Sequence, residues 1–216
     1  MGHYMGGQGV TEQDPLRQAA SRDTGKPSLT DTPASAERLD PALLKLAGIV
    51  LFGAVAALLD TTIISVALDQ LGEAFTVPVS TVQWVSTAYL LAMALVIPLT
   101  GWCVDRFGAK TTWLSVLTLF LAGSVLCGTA WSAGSLIAFR VVQGLGAGMI
   151  LPLTQVILAQ AAGSRRFGRV MALTAVPGNL IPIVGPVLGG VILNGLSWRW
   201  IFLINVPVCL LAIVLA

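Results

Sequence analysis

Long apolar stretches recur along most of this chain, and short polar or glycine-rich segments separate them. From Lys45 onward, the stretches approach the roughly 20 mostly apolar residues that a helix needs to cross a bilayer. We therefore predict six membrane-spanning helices, at residues 46–68, 82–104, 112–130, 135–160, 170–193 and 200–216. Because the connections are short, successive helices are predicted to be antiparallel neighbours in an all-α membrane fold.

The first part of the chain, residues 1–42, is instead rich in Gly, Ser, Thr, Pro and mixed charge. Such a segment has too few large apolar side chains to bury a core, so we predict a disordered cytoplasmic tail. It also lacks the basic start and immediate apolar run of a signal peptide. The six-helix part is predicted to occupy residues 43–216.

Composition favours the same membrane class. Apolar residues make up 56% of the chain and charged residues 10%, against about 25% charged residues in soluble domains. Half of the charged side chains lie in the first 45 residues, which leaves the remainder almost uncharged. The three cysteines are scattered singly and the one histidine is in the tail, so we expect neither a disulfide framework nor a metal site.

Basic residues predict the orientation. With the N-terminus inside, ten Lys and Arg residues fall in cytoplasmic segments and only Arg199 falls outside. A cytoplasmic excess of Lys and Arg is typical of membrane proteins, so we expect a multi-pass protein of the cell membrane with a cytoplasmic N-terminus. The last apolar run continues to Ala216. Either the chain ends abruptly or it is a fragment of a longer chain, and we expect a fragment.

Two ionisable residues interrupt the apolar stretches at membrane depth, Asp60 in the first predicted helix and Arg140 in the fourth. Either charge at the bilayer centre costs roughly 2.5–3.5 kcal/mol, which pairing or water has to offset. At a rise of about 1.5 Å per residue, Asp60 lies about 12 Å and Arg140 about 8 Å below the outer membrane edge. Because these depths are similar, we predict either an ion pair or two walls of one aqueous cavity.

This pair has two interpretations. In the first, it is a structural ion pair that holds two helices in register. In the second, it is a proton and substrate site, where burial and the neighbouring cation tune the proton affinity of the carboxylate. We favour the second, because ionisable residues inside membranes are functional by default.

The segment GWCVDRFGAK, residues 101–110, lies between the second and third predicted helices. It resembles the cytoplasmic signature loop of the major facilitator superfamily, G-x-x-x-D-R-x-G-R-K. Ala109 replaces a basic residue of that pattern, and the matching residues are Gly101, Asp105, Arg106, Gly108 and Lys110. Ordinary positive-inside loop chemistry explains the two basic residues but not the acid beside them or the glycine spacing.

Further segments resemble the fourteen-span drug/proton antiporter branch of that superfamily. They are LDTTIISVAL at 59–68, RVVQGLGAGMILP at 140–152, and GPVLGG at 185–190 followed by WRWIFLINVP at 198–207. The antiporter motif of the branch matches at Gly185, Pro186, Gly189 and Gly190, but its earlier glycine is Ile181 here. Together, the matches cover all of the chain except the tail.

Glycines and prolines in the fourth and fifth predicted helices favour close packing and bending. The pairs Gly144–Gly148 and Gly185–Gly189 have the spacing that lets a neighbouring helix approach. A second set recurs every four residues and so shares one helix face: Gly178, Pro182, Pro186 and Gly190. Prolines on that face are expected to bend the helix.

The resemblance implies a fold and a function. It implies the N-terminal six-helix half of a transporter, built of inverted three-helix repeats. It also implies proton-coupled efflux of hydrophobic or cationic drugs and related small molecules. In that scheme Asp60 takes up and releases a proton or attracts a cationic substrate, and Arg140 tunes the proton affinity of Asp60.

The resemblance also implies roles for other residues. Asp105, Arg106 and Lys110 would form a cytoplasmic gate against a missing C-terminal half. The cavity candidates are Trp84, Tyr89 and Gln143, with core packing as the alternative for each. We expect no cofactor, with the proton gradient as the energy source, and no nucleic-acid partner.

Alternative functions stay open. Because the antiporter motif is incomplete, the transported solute could instead be a sugar, an amino acid or a peptide. An inactive, truncated half is another alternative. An enzyme is not expected, because the apolar stretches contain neither a histidine nor an HExxH motif.

Overall fold

A computed structural model describes Gly2 and residues 41–216. The predicted tail therefore lies almost entirely outside the described residues. Every secondary-structure element within the described residues is a helix, which confirms the all-α class. The helices are α1 (Pro41–Phe75), α2 (Val79–Val96), α3 (Leu99–Phe107), α4 (Ala109–Gly128), α5 (Ala133–Gly195), α6 (Arg199–Leu203) and α7 (Asn205–Leu215).

The longest helix, α5, consists of two arms. Its backbone leaves helical geometry at Gly163, where φ is 64° and ψ is 173°. We call Ala133–Gly163 the first arm and Arg166–Gly195 the second arm. Glycine reaches a positive φ without the steric penalty of a side chain, so one residue is enough to separate the arms. The predicted separation of the fourth and fifth spans, 135–160 and 170–193, is therefore confirmed, but it is shorter than predicted because the second arm already begins at Arg166.

Five helical segments in the described chain are long and apolar enough to cross a membrane: α1, α2, α4 and the two arms of α5. The sixth predicted span corresponds to α6 and α7, which together form a shorter apolar segment, Arg199–Leu215. Pro207 explains why this segment is divided, since it has no N–H to donate to the Leu203 carbonyl one turn earlier. The helix is interrupted at Ile204, between α6 and α7.

The second predicted span is also divided. The prediction placed one helix at 82–104, whereas α2 ends at Val96 and α3 begins at Leu99. Pro98 lies between them and lacks the N–H that would continue the α2 hydrogen-bond ladder. The Thr100 hydroxyl donates instead to the Ile97 carbonyl at 2.8 Å and stabilises the turn.

Three apolar clusters fill the interior of the described helical part, and the smallest joins Leu43 and Ala47 of α1 to Leu158 and Val170 of α5. The first includes Val50, Ala57, Tyr89, Phe120, Ala147, Ile150 and Cys209. The second includes Ile63, Val85, Cys127, Leu136 and Phe202. The first and second clusters both contain residues of α1, α2, α4 and the first arm of α5, so each of these helices contributes to both clusters. The candidate site lies where the two clusters meet.

Glycines bring the first arm of α5 close to its neighbours. A Cβ atom added at Gly144 or Gly148 would lie 2.5 or 2.6 Å from a carbonyl oxygen of α2. A Cβ atom added at Gly146 would lie 2.5 Å from the backbone nitrogen of Phe120 in α4. Real Cβ atoms do not approach so closely, so the predicted packing role of the Gly144–Gly148 pair is confirmed.

Candidate functional site

Asp60 and Arg140 form an ion pair between α1 and the first arm of α5. Arg140 Nη1 lies 2.5 Å from Asp60 Oδ2, and neither side chain has any exposed surface. The similar membrane depths of Asp60 and Arg140 predict that the two residues lie close together, and the structure confirms this contact. Each charge compensates the other in an interior that is shielded from solvent.

The second carboxylate oxygen of Asp60 accepts two amide hydrogen bonds. Gln143 Nε2 donates to Oδ1 at 2.8 Å, and Asn205 Nδ2 donates to the same atom at 2.9 Å. With Arg140 on Oδ2, three N–H donors point at the carboxylate. Charge-assisted bonds of this kind are among the strongest in proteins, so the three donors stabilise the charged carboxylate.

Ser124 in α4 connects the two amides. Its Oγ accepts from Gln143 Nε2 and from Asn205 Nδ2, each at 3.2 Å. Its hydroxyl donates to the Phe202 carbonyl at 2.8 Å. All of these polar side chains are buried, and we call the set the polar layer: Asp60, Ser124, Arg140, Gln143 and Asn205.

Arg140 makes further contacts within the core. Nη1 also donates to Gln143 Oε1 at 2.9 Å, and Nε donates to the Val85 carbonyl at 3.2 Å. The guanidinium carbon lies 3.8 Å from the centroid of the Tyr89 ring, which places the cation against an aromatic face. Among the described residues, Arg140 Nη2 and the Tyr89 hydroxyl have no hydrogen-bond partner.

Local sequence explains how these side chains meet. Arg140 and Gln143 are three residues apart on one helix and so share a face. Gly123 lets the first arm approach α4, because a Cβ atom there would lie 2.5 Å from Gln143 Cα. The short Ser124 side chain then reaches both amides. Asn205 is the first residue of α7, directly after the interruption of the last span.

A cavity of about 190 Å³ lies between α1 and the two arms of α5. Its lining is mainly apolar and includes Leu51, Leu58 and Leu151, together with Thr154 and Gln155. No member of the polar layer lines it. Of the two predicted arrangements, the structure shows the ion pair, and neither Asp60 nor Arg140 lines this cavity.

The predicted cavity residues do not line this cavity either. Tyr89 and Gln143 are buried in the core, where both contact Arg140. Trp84 is 53% exposed on α2. Core packing, the alternative interpretation, therefore describes Tyr89 and Gln143 but not Trp84.

The predicted cytoplasmic gate motif lies at the turn between α3 and α4. Gly108 has a φ of 82°, a backbone conformation that favours glycine, and it ends α3. The side chains of Asp105, Arg106 and Lys110 are exposed and make no salt bridge or side-chain hydrogen bond within the described chain. Gly101 has an open surface, with no atom within 4 Å of an added Cβ. The gate function stays a prediction.

The predicted antiporter motif packs the second arm of α5 against α1. A Cβ atom added at Gly189 would lie 3.2 Å from Ile63 Cγ2, and one at Gly185 would overlap the Thr62 side chain. These α1 residues lie two and three positions after Asp60, so the motif contacts the helix that carries the acid. Pro186 is exposed and Gly190 has no atom within 4 Å of an added Cβ, so the other face of the motif has no close neighbour.

Ser124 and Asn205 are members of the polar layer that sequence reasoning missed. Neither residue is ionisable, so neither carries the charge that distinguishes Asp60 and Arg140 from the apolar stretches around them. A signal was present for Asn205, since it is an amide inside the apolar run IFLINVPVCLL. Unpaired amides are expensive in such runs, so an asparagine there indicates a polar partner on another helix.

Comparisons with known proteins agree with the membrane architecture. The family profile described as Major Facilitator Superfamily matches residues 50–216. A "Multidrug resistance protein B homolog" of Mycobacterium tuberculosis is 43% identical over 202 residues, which cover 94% of this chain and 36% of the relative. A "Putative multidrug resistance protein MdtD" of Yersinia enterocolitica is 38% identical over 160 residues, covering 74% of this chain and 34% of the relative. The chain thus spans about a third of the length of these relatives.

Solved structures show a similar fold. An inward open conformation of the xylose transporter XylE from E. coli has a TM-score of 0.68 at 19% identity, covering 80% of this chain and 47% of that chain. A bacterial homolog to the human lysosomal transporter Spinster has a TM-score of 0.62 at 18% identity, covering 82% of this chain and 42% of that chain. At these identities the likeness concerns the fold and not the transported solute.

Proposed function

Because the chain belongs to the major facilitator superfamily, we propose that it forms the N-terminal half of a proton-coupled drug efflux protein in which Asp60 carries the proton. Two relatives that bear the name of multidrug resistance proteins support a drug as the transported solute. The length of those relatives supports a second half that completes the transporter. The observation that carries the proposal is the Asp60–Arg140 ion pair, closed off inside an apolar helical bundle.

Asp60 is suited to carry a proton because of where it lies. The other acidic side chains of the described chain, Asp69, Glu73 and Asp105, are exposed, whereas Asp60 is 1% exposed. A proton bound to a carboxylate at this depth can exchange with either side of the membrane only when the helices rearrange. Alternating access needs such a site near the middle of the membrane.

Protonation would also supply a driving force. Neutralising Asp60 leaves the Arg140 guanidinium buried without a counter-charge, and an uncompensated buried charge is strongly destabilising. The helices that carry the two residues, α1 and the first arm of α5, would then gain by changing their packing. Arg140 Nη2 and the Tyr89 hydroxyl, which lack partners in this arrangement, are available to bond in another.

The cavity between α1 and the two arms supports a hydrophobic substrate. Its lining contains no charged side chain, and its polar groups are threonines and Gln155. Leu58 lines the cavity, while Asp60, two residues later, faces the polar layer on another side of α1. The geometry thus favours Asp60 as the proton carrier over Asp60 as an attractor of cationic substrates.

The test uses the complete transporter, in which this chain is joined to its second half, in everted membrane vesicles with ethidium as a hydrophobic cationic probe. Wild-type vesicles are expected to accumulate ethidium when a proton gradient is imposed and to lose it when an uncoupler is added. Asp60→Asn should insert at a normal level but show no gradient-driven accumulation. Undiminished ethidium accumulation by Asp60→Asn would refute the proton-carrying role. Ethidium accumulation by the wild type that persists after the uncoupler is added would refute proton coupling.

A further inference from the structure

We propose that Ser124 sets the direction of the hydrogen bonds in the polar layer, so that Gln143 and Asn205 present N–H groups and not carbonyl oxygens to Asp60. Ser124 is then a positioning residue for proton release, although it makes no hydrogen bond with Asp60. This role rests on the proposed function of Asp60 as the proton carrier.

The first step concerns the single proton of the serine hydroxyl. A hydroxyl group has one donor and two acceptor lone pairs. The Ser124 donor is taken by the Phe202 carbonyl at 2.8 Å. Phe202 lies next to the end of α6, and its carbonyl oxygen also faces the backbone N–H of Ile204. A carbonyl oxygen has two lone pairs, so it can still accept the Ser124 proton and hold it away from the amides.

The second step concerns the orientation of the amides. With its proton engaged, Ser124 Oγ can only accept, so the Gln143 and Asn205 groups that approach it at 3.2 Å must be NH2 groups. Each NH2 group has a second N–H, and both of these reach Asp60 Oδ1, at 2.8 and 2.9 Å. In the reversed orientation, either amide would direct its carbonyl oxygen at Asp60. That oxygen would repel the charged carboxylate, but it would accept a hydrogen bond from the protonated carboxylic acid.

The two amides differ in how firmly they are oriented. Gln143 has a second anchor, because its Oε1 accepts from Arg140 Nη1 at 2.9 Å. The hydrogen bonds of the Asn205 side chain with the described residues go only to Asp60 and Ser124. Loss of the Ser124 hydroxyl should therefore release Asn205 more than Gln143. The effects of Ser124 and Asn205 on Asp60 should be coupled, because residues of one network are not additive.

Other titratable or charged groups also face Asp60. They are Arg140 of the first arm of α5, Tyr89 of α2, Cys127 of α4 and Cys209 of α7. Neither Ser124→Ala nor Asn205→Ala removes any of them. A change in the proton affinity of Asp60 in these variants therefore reports on the amide donors.

The experiment measures the pH dependence of proton-driven ethidium accumulation in everted vesicles that contain the complete transporter. Removing an N–H donor from a carboxylate makes its proton harder to release. The acidic limb of the profile should move to higher pH by about one unit in Ser124→Ala and in Asn205→Ala. The double variant should move about as far as either single variant.

Thr100→Ala is the matched control. Thr100 is also buried, and its hydroxyl also donates to a carbonyl, but it lies outside the polar layer. This variant should keep the wild-type profile. If a buried hydroxyl acted only through folding, Thr100→Ala and Ser124→Ala would both lower the amount of inserted protein and leave the pH midpoint in place.

Infrared titration gives a readout that does not depend on transport. The stretching band of protonated Asp60 is identified in the purified complete transporter by subtracting the spectrum of Asp60→Asn. Its pH midpoint should rise in Ser124→Ala by the same amount as the transport profile. Unchanged midpoints in both assays would overturn the role of Ser124. A wild type that exports ethidium with proton coupling, and an inactive Asp60→Asn, would still uphold the proposed function.

Discussion

The two arms of α5 are similarly apolar, yet the structure uses them differently. In the first arm, 56% of the most apolar 18-residue stretch is buried, whereas in the second arm only 17% is buried. Apolar character qualifies both arms as membrane spans. Apolar character does not determine which span packs at the centre of the bundle, because lipid is as apolar as a leucine-rich helix face. Small and polar side chains determine it instead, through close packing and hydrogen bonds between helices.

The contacts of the two arms illustrate this difference. The first arm carries Arg140 and Gln143 of the polar layer, and its glycines lie against the backbones of α2 and α4. The second arm contributes no residue to the polar layer. Its close approach to α1 is made through Gly185 and Gly189, while large apolar side chains such as Ile183 and Val187 are exposed.

The largest expected difference between the arms concerns charge. Arg140→Ala in the first arm leaves Asp60 buried without its partner and should lower the free energy of unfolding by about 3–5 kcal/mol. Val187→Ala in the second arm removes an exposed side chain and should change it by no more than about 0.5 kcal/mol. Unfolding in mixed detergent micelles measures both. Equal stability of the two variants would show that the ion pair contributes nothing to the fold.

A second difference concerns glycine, and the substitution is the same in both arms. Gly144→Ala places a Cβ atom 2.5 Å from the Tyr89 carbonyl oxygen and should destabilise the protein by about 1–3 kcal/mol. Gly190→Ala meets no atom within 4 Å and should be neutral or stabilising by up to about 1 kcal/mol, because alanine favours helix. Thermal unfolding of both variants in the same detergent checks the pair. A neutral Gly144→Ala would contradict the packing described for the first arm.

The smallest expected effect concerns the contact between the second arm and α1. Gly185→Ala overlaps the Thr62 side chain, which can move more easily than a backbone carbonyl. We expect a loss of about 1 kcal/mol, at the lower end of the range for overpacking. Hydrogen exchange should become faster in the second arm and stay unchanged in the first arm. Faster exchange throughout the bundle would mean that the two arms unfold as one unit.

Much of the fold follows from patterns that a sequence displays directly. Twenty-residue apolar runs predict spans, and the depths of Asp60 and Arg140 predict their proximity, because rise per residue converts chain position into depth. Divisions within spans are harder to predict, since a proline at membrane depth bends some helices and interrupts others. Pro98 lies at an interruption and Pro207 lies in the first turn of the helix that follows one, whereas Pro152 lies inside the continuous first arm.

The candidate site was predicted only in part, for a related reason. A lone acid in an apolar run shows that a partner exists, and arginine is the obvious choice by charge. The remaining donors depend on which residues of other helices face inward, and hydropathy does not show this. Ser124 reaches the site only because Gly123 allows α4 to approach the first arm, and Asn205 only because the last span is interrupted.

The central claim, that the buried pair serves proton coupling and not only structure, is tested most directly by neutralising both charges together. The double variant Asp60→Asn/Arg140→Met removes the ion pair without leaving a lone buried charge, so it should be nearly as stable as the wild type. We predict that this stable double variant shows no proton-driven ethidium accumulation in everted vesicles. Accumulation at the wild-type rate, still abolished by an uncoupler, would show that the pair is structural and would contradict the account.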